Sequence, residues 1–434
     1  MLHDPGHEEV KLSGGEMKLS GPEKEVLRKL AGELAEIAAL PVHREKARLW
    51  TKLNDRKSER PMVWINEICW NEMDVAGELT LQTSHPWAQD QERGMRRTIY
   101  QWRHLPADMI VNDYLDCPLA ITSTGFGITE DVDVVKTDET NDIVSRHFNK
   151  QISGPEDLEK IKMPVVAHDK AETERRYEAM CSLYEGIMPV KMTGQSHVWF
   201  TPWDFLIRWW GIEEAMTDMY DRPEFVHAAV DRMVDAWMAE MDQFESMGLL
   251  ALDNNNTRVG SGGYGYTSEL PGNDYNPARL RTQNMWGCSN AQIFSEVSPE
   301  MHREFAIEHD LRWLKRWGMT YYGCCEPLSG KAEVLSLIPN LRKVSVSPWC
   351  NSERAVEGLG GKYVLSRKPN PAILAEDNWH PERARAELVR FMEATGGKCD
   401  VELIMKDIST VGYKPQRLWE WSQIAMEVAG QFAR

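Results

Sequence analysis

Apolar residues recur at helical spacing near the start of the chain. Leu27, Leu30, Leu34, Ile37 and Leu40 fall three or four apart, which predicts one or two helices between Pro22 and about Leu53. Residues 1–20, ahead of them, are polar and glycine-containing and are expected to be poorly ordered. The period then changes. "PMVWINEICWNEMD", from Pro61 to Asp74, is a short apolar run passing into polar residues, and reads as a buried strand followed by a turn.

Beyond residue 180 the alternation becomes regular. "IMPVKMTGQSHVWF" runs from an apolar strand into a polar loop, and helices are predicted over Pro202–Tyr220 and from Pro223 to Gly248. Pro223 suits a first helical turn and Gly248 a C-terminal cap. "LLALDNNN" is a predicted strand ending in Asp253 to Asn256, and Ser298 with Pro299 starts the next helix. Four more strand-and-helix units follow, with strands at "MTYYGCCEPL", "LRKVSVSPW", "GKYVLSRKPNP" and "VELIMKDIS". Strand then helix, repeated, predicts parallel strands under covering helices, and short apolar strands ending in polar residues suit burial on both faces. The expected fold is α/β, a (β/α)8 TIM barrel over 59–434 with an N-terminal helical extension over 1–58. "GSGGYGY", Gly260 to Tyr266, opens no helix and is expected to be a mobile loop at the site. No GxGxxG follows a strand and no GxxxxGK[ST] is present, so neither a dinucleotide nor a P-loop site is signalled.

Composition narrows the function classes. The 434 residues are 42% hydrophobic and 27% charged, enough to bury a large core. A net charge of −17 argues against nucleic acid, which is bound mostly through Lys and Arg. No apolar run of about 18 residues is present, so no membrane span is expected. The N-terminus lacks the apolar segment of an export signal, so a cytoplasmic protein is expected, with its eight cysteines as thiols or ligands rather than disulfides. Seventeen tryptophans suit a large core, and several could also line a pocket for a flat ligand.

In such a barrel the site lies at the C-terminal ends of the strands. Those ends supply Glu67, Trp70, Asn71 and Glu72; His197 and Trp199; Asp253, Asn254 and Asn255; Tyr322, Cys324, Cys325 and Glu326; Trp349; and Glu402, Lys406 and Asp407. Glu67 and Glu72 are equal candidates for the acid at the first strand. The Asp253–Asn256 run could cap a turn, and Lys406 with Asp407 could form an internal ion pair. Helical His227, His302 and His309 are read as surface or packing residues. Side chains alternate along a strand, so Tyr322 and Cys324 share one face, and one thiol alone should point into the site while the strand persists. A thiolate beside carboxylates can ligate zinc, which makes Cys324, Cys325 and Glu326 a candidate metal set.

These strand ends, with "DMYDRPEFVHAAVDRMVD", "GMTYYGCCEPL", "LRKVSVSPW" and "GKYVLSRKPNPAIL", resemble the uroporphyrinogen decarboxylase-like superfamily, from about residue 60 to the C-terminus. The resemblance implies a (β/α)8 barrel and one of two chemistries: cofactor-free porphyrin decarboxylation, or corrinoid-dependent methyl transfer assisted in some members by zinc. The decarboxylases' Arg-Gln-x-Gly-Arg loop is replaced here by "EICWNEMD". Tyr322-Gly-Cys324 stands where thiol-activating members carry His-x-Cys. The chain is more similar to the branch of methylotrophic and acetogenic anaerobes that includes the O-demethylase methyltransferases.

That resemblance implies an enzyme moving a methyl group from an aryl methyl ether, veratrole- or guaiacol-like, to the cobalt of a cobalamin (corrinoid). No Asp-x-His-x-x-Gly motif is present, so the corrinoid is expected on a partner protein or free, with a homodimer as a further option. The leaving aryl oxygen would be served by a zinc ion or an acid among Glu67, Glu72, Tyr322, Cys324 and Glu326. Trp70, Trp199 and Trp349 would flank the ring, and His197, Asp253 and Asn255 would hold its substituents. Open alternatives are methyl-corrinoid to thiol or tetrahydrofolate transfer, a decarboxylase, and a non-catalytic corrinoid-binding barrel.

Overall fold

The computed structural model describes residues 19–135 and 145–434. The expectation for residues 1–18 lies outside them. Helix α1 (Gly21–Ala38) opens on a capping box, in which Ser20 and Glu23 satisfy each other's backbone N–H groups. Its apolar stripe packs on α3 (Pro86–His104) together with Leu183, Met188 and Val190. Helix α2 (Val42–Asn54) instead delivers Trp50 and Leu53 to a cluster with Met62, Val364 and Ile404.

Strands β1 (Met62–Ile65), β2 (Leu115–Pro118), β3 (Ile121–Ser123), β4 (Val132–Val135), β5 (Ser145–Phe148) and β6 (Val166–His168) come first along the chain. They are followed by β7 (Val190–Thr193), β8 (Trp286–Ser289), β9 (Met319–Tyr322), β10 (Leu341–Val346), β11 (Val364–Arg367) and β12 (Val401–Met405). Six form one sheet in the order β1-β12-β11-β10-β9-β8, every pair parallel. β2 and β7 pair in parallel, and Gln195 just past β7 makes a parallel bridge to Leu250. The fold is therefore mixed α/β with a six-stranded parallel sheet, compatible with a TIM-barrel-like arrangement. β8, β9, β11 and β12 are buried at every position, polar residues such as Thr320, Ser366 and Glu402 included.

One face of the sheet is polar. Tyr321, Lys343, Ser366, Lys368 and Glu402 are buried there, with the Lys343 ammonium 2.9 Å from Glu402 Oε2. The expected mobile loop is a buried plug among them. Arg258 and Tyr264 bridge antiparallel, Gly263 N–H donates to Glu402 Oε1 at 3.1 Å, and Ser261 Oγ meets Tyr321 OH at 2.9 Å. Glycine makes this possible: a Cβ on Gly262 would reach Glu402 Oε1 and come within 2.7 Å of Tyr321, and Gly260 holds φ +54°.

Candidate functional site

A cavity of about 860 Å³ opens where β1, β7, β9 and β12 end. Of the expected residues, Glu67, His197, Trp199, Cys324, Cys325, Lys406 and Asp407 line it. Two rim positions hold left-handed backbone, Glu67 after β1 at φ +49° and Asp407 after β12 at φ +56°. Such strain in non-glycine residues survives only where surrounding contacts impose it. Here Ile408 N–H donates to the Glu67 carbonyl at 3.2 Å, and Asp407 N–H to Glu67 Oε2 at 3.3 Å.

Lys406 is the hub. Its ammonium lies 2.7 Å from Asp407 Oδ2, 3.2 Å from Glu67 and 3.9 Å from Cys324 Sγ, with the residue only 5% exposed. Desolvation opposes its charge, but Cys324, Glu67 and Asp407 outweigh it and raise its pKa. Arg258, carried by the plug, reaches Glu67 Oε1 at 2.7 Å. Burial works against the Glu67 carboxylate, yet Arg258 and Lys406 hold it far below the usual range. Burial and the bond to Glu67 push Asp407 the other way, so of this acidic pair Asp407 is the one that keeps a proton more readily. Desolvation above all drives the His197 pKa down to about 3, and Arg258 adds to it, so its imidazole is neutral near pH 7.

The thiols face each other at 3.7 Å. The contact between them raises Cys324, which burial raises further, and lowers Cys325. Both line the cavity, against the expectation of one. The reason is Gly323, at φ +98°, which ends the strand so that alternation does not extend to the cysteines. The same alternation turns Tyr321 toward the plug and Tyr322 toward the helices, where its hydroxyl meets His302 Nε2 at 2.8 Å and His302 Nδ1 meets the Lys331 ammonium at 2.9 Å.

The remaining expected residues serve the frame and do not line the cavity. Glu72 accepts from Thr410 Oγ1 (2.7 Å), Val411 N (2.8 Å) and Tyr413 N (3.0 Å), tying the first turn to the loop after β12. Trp70 packs edge-on against Tyr100 at 6.0 Å, with Asn71 in the same short turn. Buried Asp253 accepts from Trp286 N at 2.9 Å, Asn254 donates to the Leu270 carbonyl at 2.8 Å, and Asn255 accepts from Thr257 N at 2.7 Å. Glu326 accepts Cys324 N (2.8 Å) and Ala291 N (3.0 Å), which shapes the turn bearing the thiols. Trp349 is 68% exposed, and Glu402 is paired with Lys343.

Arg258, Asp204 and Gln292 line the cavity and were not expected. A lone acid in the largely apolar "PWDFLIRWW" was the available signal for Asp204; Arg258 and Gln292 carried none. Among the described residues no group of three or more His, Cys, Asp or Glu is placed to hold a metal ion. Next to the two thiols stands the Lys406 ammonium, a cation paired with the Glu67 carboxylate, so this donor set does not fit zinc.

No family model matches the chain, and no curated protein matches it. Among solved structures, a methyltransferase from Methanosarcina mazei is similar, with a TM-score of 0.50 and 12% identity over 90% of this chain and 99% of that one. What the two share is the fold. No helix among the described residues is long and apolar enough to cross a membrane.

Proposed function

We propose that this chain is a methyltransferase that moves a methyl group from an aryl methyl ether to the cobalt of a corrinoid carried by a separate protein in the cytoplasm. On this reading the six-stranded sheet is extended by β7 and the 249–251 segment into a closed (β/α)8 barrel. The observation that carries the reading is a cavity at the strand ends, walled by Trp199, Phe205 and Phe244 and holding a cationic and acidic cluster, on a fold shared with a methyltransferase.

The chemistry needs a better leaving group, because an aryl ether expels phenolate poorly. The cobalt(I) lone pair forms the carbon–cobalt bond, the methyl–oxygen bond breaks, and its electron pair stays on oxygen. Lys406 stabilises the developing phenolate, and Asp407, whose pKa is raised by burial and by Glu67, supplies the proton that makes it a phenol. Glu67 and Arg258 hold Lys406 and Asp407 in place. The cavity orients the methyl group, an effect of proximity. No step is routed through zinc.

The test is incubation of the full chain with free cob(I)alamin and guaiacol, veratrole or methylamine, following the cobalt spectrum. Conversion to methylcobalamin with an aryl ether, slowed about 10²-fold or more in kcat by Asp407→Asn, supports the reading. An unchanged spectrum with every donor refutes it.

A further inference from the structure

The methyl-transfer chemistry above leaves Cys324 and Cys325 without a task. They are adjacent in sequence, both line the cavity, and their sulfurs lie 3.7 Å apart with neither in a disulfide. The peptide between them is trans, which sets their Cα atoms about 3.8 Å apart. Unstrained disulfides need roughly 4.4 Å or more, so direct closure of this pair is disfavoured. Bridging through a third atom is not. One with bonds of about 2.3 Å to each sulfur, a length usual for thiolate-bound soft centres, spans the gap at nearly the tetrahedral angle.

The surroundings select that atom. The Lys406 ammonium stands 3.9 Å from Cys324 Sγ, and the described residues offer no third His, Cys, Asp or Glu to complete a metal shell. A dication is therefore disfavoured, and a neutral centre that needs only two sulfurs is matched. Trivalent arsenic in an arsonous acid, R–As(OH)₂, is such a centre, since it carries no net charge and its third valence is taken by the organic group R. That group has a place. An annexe of about 300 Å³ includes Cys325 and has Phe148, Ile207, Ile212 and Ile293 as its apolar wall. A phenyl ring on arsenic fits such a space and is drawn to it by apolar burial.

We propose that Cys324 and Cys325 form a binding site for a neutral trivalent arsenical bearing an aryl group. Each sulfur attacks as thiolate, forms a sulfur–arsenic bond and expels hydroxide, which leaves as water with the thiol's proton. R–As(OH)₂ and two cysteine thiols thus give R–As(S–Cys)₂ and two waters. Arsenic stays trivalent, and nothing is oxidised or reduced. Lys406 favours the Cys324 thiolate during the exchange. The site goes beyond the methyl-transfer reading and does not depend on it.

The probe is phenylarsine oxide, which hydrates to phenylarsonous acid, added to the reduced full chain without cobalamin. Alkylation followed by peptide mapping should show one equivalent shielding Cys324 and Cys325 and leaving the other cysteines as reactive as before. Dithiothreitol should release it, and glutathione at the same concentration should not. Cys324→Ser and Cys325→Ser should each weaken binding about 10²-fold or more, because the second bond closes within one molecule. Cys325 is the less buried of the two, so its variant gives a readout even if Cys324→Ser fails to fold. Measured against their affinities for free dithiothreitol, methylarsonous acid should bind about tenfold more weakly than the phenyl compound, having no ring to bury in the annexe. Ile212→Trp, at a position 55% exposed, should narrow the annexe and remove that difference. No uptake, shielding of other cysteines, release by glutathione, binding unchanged in a folded serine variant, or equal relative affinity for the methyl and phenyl compounds overturns the inference.

Discussion

Removing one partner of the buried Lys343–Glu402 pair should be among the most damaging single changes in the chain. Both side chains are 0% exposed, and Nζ lies 2.9 Å from Oε2. Burial lowers the Lys343 pKa, whereas the Glu402 carboxylate stays below its usual range because Lys343, Ser366 and Lys368 outweigh desolvation. The pair is ionised, since Glu402 receives both the Lys343 ammonium and the Gly263 N–H. At that separation the attraction is about 6 kcal/mol for an effective dielectric of about 20. Much of it offsets desolvation, and a lone buried charge left behind costs about 3–5 kcal/mol. Glu402→Gln should therefore lower unfolding stability by about 3 kcal/mol or more, read as a shifted urea midpoint at unchanged slope. Lys343→Met should cost a similar amount. The double variant Lys343→Met/Glu402→Leu should recover part of the loss, because the lone charge of that pair is gone while Gly263 N–H loses its acceptor and Lys368 its counter-charge. Single variants within about 1 kcal/mol of the parent, or a double variant as unstable as the sum, would refute the argument.

Other outcomes can be checked as directly. Gly262→Ala places a methyl group against Tyr321 and Glu402 and should cost about 2 kcal/mol or more, whereas Gly430→Ala meets open space at a helix end and should be neutral or stabilising in the same unfolding assay. Cys325 should alkylate with a pH midpoint below that of an ordinary thiol, and Lys406→Met should raise that midpoint; an unmoved midpoint would remove Lys406 as its electrostatic support. Burial raises Asp310, whose Oδ2 accepts from Ser289 Oγ at 2.6 Å, to about 7. Its folded pKa lies above its unfolded one, so its stabilisation is complete below the unfolded value and is lost as pH rises through about 7. Asp310→Asn should thus gain stability relative to the parent between about pH 4 and 8, by up to about 4 kcal/mol, and a pH-independent difference would exclude that role.

Much of the strand and helix order was legible, because burial on one helix stripe or on both strand faces leaves a local period. Six expected strands coincide with β1, β7, β9, β10, β11 and β12. "LLALD" supplies only the bridge at Leu250, and β8 and the pairs β3–β6 and β4–β5 had no readable signal. Within three or four residues they carry Asp, Ser, Arg, His or Gly, so no apolar run stood out along them.

The sequence by itself determined which segments become buried strands, which helices cover them, and that thiols, carboxylates and a lysine gather where those strands end. Tertiary structure alone decided which of these groups share the cavity. Tyr322 faces His302, Glu72 holds a turn and Glu402 is neutralised by Lys343, while Arg258, Asp204 and Gln292 join Glu67, Lys406 and Asp407 around one space. The division has a physical cause. Period follows from neighbours along the chain, but a side chain's direction, its desolvation and its charge partner are set by residues far away in sequence, as Glu67 and Lys406 are.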